Sequence, residues 1–209
     1  MSSSKMPRAL SRGLVALVCA VAALHSAQAA ALSINAAGFS ATHSSAKPAA
    51  PGEAGIAAMV AAMPADQRAA AEQQLRSHWQ KYRQLEQALK APEGDPGVAV
   101  AAYVMAHWKG YTGELLMPWK IAAIAKQGKA ALESNPTFAK LSEGQRQALV
   151  EQIALIGMAM KQTADLAQMG GADATQLAQL REASRRGLTQ LLGADPSRMS
   201  VTDAGVVIQ

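Results

Sequence analysis

Apolar residues recur along most of this chain at spacings of three and four, in runs of helical length cut by proline and glycine. That rhythm puts one face of each segment against a core, and it is incompatible with strands, whose period is two. Leu75, Trp79, Tyr82, Leu85 and Leu89 form the stripe of a first helix over 64–90, with Pro64 suited to the first helical position. Asp95-Pro96 opens a second over 96–109, with Asp95 as the cap for orphan N–H groups. This segment is apolar on two sides, through Ala101, Val104 and Trp108 and through Val100, Tyr103 and His107. A helix of that kind belongs at the centre of its bundle. Pro118 starts a third helix over 118–134, carrying Ile121, Ile124 and Leu132, which Asn135-Pro136 is expected to stop. Leu141 followed by Ser142-Glu143-Gly144-Gln145 is a hydrophobic staple with a capping box, and predicts a long helix over 143–169 that ends at Gly170-Gly171. Asp173 caps a fifth over 173–192, ended by Gly193 and Pro196. Phe138 and Leu141 are expected to plug one end of the core, and residues 199–209, which lack a helical period, to lie extended across the bundle or stay loose. The reading is an all-α bundle of about five helices, with no strand signal before the tail.

Composition says how such a bundle is stabilised. Half of the chain is apolar, yet it holds only two Phe, three Trp and three Tyr, and alanine dominates. Alanine loses no side-chain entropy on helix formation and buries little area, so the helices must approach closely.

The N-terminus constrains the compartment. Lys5, Arg8 and Arg12 precede an unbroken apolar run to Leu24, and Ala27-Gln28-Ala29 supplies small residues for a peptidase. The run is too short for a permanent span, and the arrangement predicts a signal peptide over 1–29, cleaved after Ala29 or at Ala30 or Ala31. An N-terminal anchor is the alternative. Cys19 follows Val18 inside the run, which does not suit a lipoprotein signal, and it is the single cysteine. Cleavage therefore leaves neither a disulfide nor a thiolate nucleophile. Residues 30–62, rich in Ala, Ser, Gly and Pro, are expected to form a flexible arm, with a short helical turn over 53–62 as the alternative. The helical domain is then 63–209. Removing Lys5, Arg8 and Arg12 from the 20 basic residues leaves 17 against 15 acidic, a net of +2. That balance points away from a nucleic-acid partner. The chain is expected in the periplasm or outside the cell.

Few residues offer chemistry. Met105-Ala106-His107 and Met158-Ala159-Met160 have the spacing of soft metal sites. On a helix, residues two apart diverge, so neither pair can share an ion, and no metal or cofactor is expected. His78 and His107 could meet only across two helices. Tyr103, Trp108, Tyr111 and Trp119, with Glu114 beside them, are the candidate ligand-binding residues, against the plainer reading that aromatics fill the core. Acid–base work needs a second carboxylate at fixed separation, and spacing nominates none for Glu114. No Gly-x-Ser-x-Gly, His-Glu-x-x-His or phosphate-loop pattern is present. What remains is a non-catalytic protein working by protein contact, with a small helical cell-wall enzyme as one alternative.

Two resemblances bear on this. Leu141-Ser142-Glu143-Gly144-Gln145-Arg146 is similar to the Leu-Thr-x-x-Gln signature of small periplasmic stress chaperones, with Ser142 in place of Thr. Met63-Pro64-Ala65-Asp66-Gln67-Arg68 is a looser second copy. The resemblance implies a chaperone-like alternative, although a staple and capping box produce the same letters. The stretches NPTFAKLSEGQRQALVEQIALIGM and LAQLREASRRGLTQLLGADPSRMSVTDAGV resemble an uncharacterised family of exported, alanine-rich bacterial proteins over about 95–207. That resemblance implies a helical fold and export, and no activity.

Overall fold

Residues 48–209 are described by the computed structural model. The expected signal peptide over 1–29 and the first part of the expected arm, 30–47, lie outside the described residues. Among the described residues seven α-helices follow one another: α1 (Glu53–Ala61), α2 (Arg68–Ala88), α3 (Pro96–Thr112), α4 (Pro118–Glu133), α5 (Pro136–Lys140), α6 (Glu143–Leu166) and α7 (Ala174–Leu192). An antiparallel hairpin, β1 (Met199–Thr202) and β2 (Gly205–Ile208), ends the chain. The fold is an all-α bundle with this small appendage. No helix among the described residues is long and apolar enough to cross a membrane.

α3 is the central helix. The Asp95 carboxylate accepts from the N–H groups of Gly97 and Val98, and Gly113, at φ 82°, closes the far end. Between these caps α3 is enclosed by α4, α6 and α7. Its buried residues are mostly Ala and Val, and its neighbours meet it through small residues of their own. A Cβ on Gly157 of α6 would sit 2.7 Å from the backbone nitrogen of Tyr103, and one on Gly187 of α7 would sit 2.2 Å from the His107 ring. Only glycine fits either position. The close approach gives dispersion contact that small side chains could not reach at ordinary interhelical distance.

α2 lies across α6 and buries Leu75, His78, Trp79 and Tyr82. Its last turn holds the loop that leads into α3. The buried Glu86 carboxylate accepts from Gly94 N–H at 2.8 Å and Asp95 N–H at 3.1 Å and is paired with Arg83, while Tyr82 donates to the Asp95 carbonyl at 3.0 Å.

Packed structure reaches back to Gly52, as in the alternative of a short helical turn over 53–62. Glu53–Ala61, expected within the arm, is helical and buries Ile56 and Met59 with Trp79 and Ile153. Its start is held from α6, where the two Glu151 oxygens accept from Gly52 N–H and Gly55 N–H, each at 2.7 Å. A carboxylate at a helix N-terminus satisfies orphan donors and opposes the dipole.

Other ends shift for local reasons. Pro64 precedes a 3₁₀ turn over Ala65–Gln67, so α2 starts at Arg68. α4 ends at Glu133, just before Asn135-Pro136 as expected, and the Asn135 side chain also accepts from the Thr137 and Phe138 N–H groups and so caps α5. α6 passes into a π-turn over Ala167–Gly171, with Gly170 at φ 83°. The tail takes its extended option as the hairpin, and α4 covers its outward groups. Lys120 Nζ donates to the Val201 carbonyl at 2.9 Å, and the Gln127 carboxamide pairs with Val206 as a strand would, at 2.9 and 2.8 Å.

Candidate functional site

α3 ends, α4 begins, α6 ends and α7 begins at one end of the bundle. Lys109 of α3 pairs there with Asp165 of α6, and Gln168 of the π-turn donates to the Gly113 carbonyl at 2.7 Å. The two connectors at this end are therefore tied together. Both carry large apolar side chains into solvent. Leu115 is 69% exposed, Met117 52% and Trp119 56%; across the Gln168 tie, Met169 is 82% exposed, with Leu166 and Leu177 close in sequence and also exposed. Single exposed apolar residues are ordinary, so it is their number near two joined connectors that stands out. Trp119 is fixed besides, since its Nε1–H donates to Asp203 Oδ1 of the hairpin turn at 3.0 Å. An indole held in one orientation loses little entropy when a partner covers it.

The five residues nominated from sequence divide between core and surface. Tyr103 is fully buried with Trp79 and Ile153, stacked on His107 at 3.9 Å between centroids, and burial pushes its phenol well above the usual range. Trp108 lies in a different part of the core with Ile124, Leu188 and Met199, and Tyr111 packs against it half-buried. Tyr103 Oη and Trp108 Nε1 have no hydrogen-bond partner among the described residues. Glu114 is exposed next to the apolar connector, and of the aromatics only Trp119 presents its ring to solvent. Leu115, Met117 and Met169 escaped the sequence reading because exposed and buried apolar residues are written with the same letters.

The histidines and methionines with metal-like spacing have structural contacts of their own. His78, buried on α2, makes a 3.0 Å contact through Nε2 with Gln162 Oε1, and burial holds its pKa below the usual value despite that bond. His107 donates from Nδ1 to the Tyr103 carbonyl at 2.9 Å. Met105 opens towards a groove beside α6 while His107 faces the core, and Met160 meets Ser184 while Met158 faces that same groove. Residues two apart on a helix do diverge. Among the described residues, no group of three or more His, Cys, Asp or Glu could hold a metal ion.

The two six-residue copies share one local geometry. Arg146 donates to the carbonyls of Leu141 and Ala139, and Arg68 to those of Met63 and Ala61, five and seven residues back in each case. Each guanidinium thus closes the open end of the preceding short helix. Ser142 and Gln145 form the expected capping box.

No curated protein and no solved structure matches the chain. The model of a family of unknown function (DUF6683) matches residues 16–209, well beyond the stretch over 95–207 that carries the sequence resemblance, and the chain belongs to that family.

Proposed function

We propose that this protein acts, in the periplasm or outside the cell, as a non-catalytic helical protein that binds a protein partner through the apolar end of its bundle. The observation behind this reading is the exposure of Leu115, Met117 and Met169 on two connectors that are hydrogen-bonded to each other, and of Trp119 in the first turn of the adjoining α4. Anchoring aromatic and aliphatic side chains on a rigid base supply most of the energy in protein contacts. The compartment rests on the charge, apolar run and small residues of the first 29 positions.

The test is site-specific photo-cross-linking in the producing cell. A photoreactive side chain at Met117 should yield a discrete adduct, and one at Gln73, exposed on α2, should not. Replacing Leu115, Met117 and Trp119 together by Gln should abolish the adduct formed from a probe at Met169 while leaving the melting temperature near that of the parent. Equal labelling from both probes, or an adduct that survives the triple replacement, would reject this surface.

Met117 and Met169 favour one second reading. Flexible thioethers suit surfaces that accept many partners, which is the behaviour of the chaperone-like alternative. That reading requires the purified protein to suppress aggregation of an unfolded client at equimolar ratio, and the triple variant to lose the effect.

A further inference from the structure

α2 and α3 both rest on α6 but meet each other only slightly, so a cleft of about 410 Å³ opens between them above α6. That volume lies within the range of small-molecule sites. Its apolar lining is Leu85 from α2, Met105 from α3 and Met158 from α6. Thioethers adapt to irregular apolar shapes at little strain.

The charged lining is unbalanced. Asp165 accepts from Lys161 at 2.7 Å and also pairs with the buried Lys109, so its charge is doubly compensated. Lys81 stands at the opposite wall on α2, where its ammonium donates to the neutral Gln162 Oε1 at 3.2 Å. Among the described residues no carboxylate pairs with Lys81. Two lining ammonium groups, Lys81 and Lys161, face one carboxylate, Asp165, which the buried Lys109 also neutralises, and this leaves the cleft cationic, with its uncompensated charge next to an apolar wall.

We propose that this cleft binds a small amphipathic carboxylate, its apolar body against Leu85, Met105 and Met158 and its carboxylate on Lys81, with Lys161 beside it. The cationic surplus excludes an amphipathic cation, and a neutral chain of the same length lacks the charge-assisted hydrogen bond that distinguishes the carboxylate. The inference is independent of the apolar end.

Methionines lie in both places and so separate them. The whole chain, labelled with carbon-13 at the methionine methyl groups and assigned through Met→Leu variants, is titrated with decanoate below its micelle concentration. The Met105 and Met158 methyls should shift saturably while those of Met117 and Met169 stay in place. Lys81 is exposed, so Lys81→Gln should fold normally; it should weaken decanoate about tenfold, the scale of one charge-assisted hydrogen bond. Decanol should bind about tenfold more weakly than decanoate to the parent protein, and decyltrimethylammonium should not shift the two methyls. Shifts confined to Met117 and Met169, no saturable shift, equal affinity for decanol and decanoate, or a Lys81→Gln affinity like the parent's would each overturn the proposal.

Discussion

Tyr103 carries a buried hydroxyl with no partner among the described residues, on a ring stacked on the His107 imidazole in the part of the core that holds Trp79 and Ile153. A buried polar atom left without a hydrogen bond costs about 1–3 kcal/mol, so its deletion relieves a penalty when the ring stays in place. Tyr103→Phe should therefore raise stability by about 1 kcal/mol in urea denaturation. A loss of similar size would mean that the hydroxyl is engaged. His78 sets a pH dependence at the same scale. Desolvation disfavours its charged form and Lys81 adds to this, against the bond to Gln162, so its folded pKa lies below the ordinary value. Between the folded value and about 6.5, the unfolded chain takes up a proton that the folded chain refuses. Stability is then complete above about pH 6.5 and falls as the pH drops through that window, by up to about 1.4 kcal/mol per unit. His78→Gln should flatten the melting-temperature profile between about pH 7.5 and 5 relative to the parent. Parallel profiles would contradict the assignment.

Among elements, α1 is the one whose place depends most on a single distant group. It is nine residues long, too short to hold as an isolated helix, and is fixed by Ile56, Met59 and the Glu151 carboxylate beneath Gly52 and Gly55. Glu151→Ala leaves two amide groups without their acceptor, at about 1–3 kcal/mol each if they stay buried. Peeling α1 away avoids that cost. Amide exchange over residues 53–61 should accelerate at least tenfold in this variant while α3 and the middle of α6 keep their protection. Uniform acceleration would show that α1 unfolds only with the whole. This dependence also explains why α1 was hard to read. Its sequence, EAGIAAMVA, is apolar nearly all round, and its anchor lies 96 and 99 residues away. The helices that could be read carry their own signals, namely Asp95, Ser142 and Asp173 at their starts and Gly113 and Gly193 at their ends. Asn135 shows the limit of such signals, since an Asn before a Pro fits the end of one helix and the start of the next. The apolar end was hidden for another reason. Trp108 and Trp119 are equally aromatic in sequence, and only the turn after Gly113 decides that one faces the core and the other solvent.

At the scale of the molecule, α3 makes the core indivisible. Val98, Ala99, Ala102 and Tyr103 pack with Trp79, Phe138 and Ile153, while Val100, Ala101, Val104 and Trp108 pack with Ile124, Leu188 and Met199. Ala106 belongs to a third group with Met160 and Leu180. Successive residues of one helix thus supply different parts of the core, and no break in α3 could release one part and keep another. Loss of α3 strips α4, α6 and α7 of their common partner, so the unfolding of 48–209 should be a single cooperative transition. Trp79 and Trp108 report on two of these parts. In one variant Trp79 is kept and the other two tryptophans are replaced by Phe; in a second, Trp108 is kept in the same way. Each variant has its own stability, so the comparison is made within a variant, between its tryptophan fluorescence and its far-ultraviolet circular dichroism in urea. Midpoints should coincide in both. A fluorescence transition that precedes the loss of helix in either variant would mean that the part of the core around that tryptophan opens alone, and that α3 does not couple the bundle.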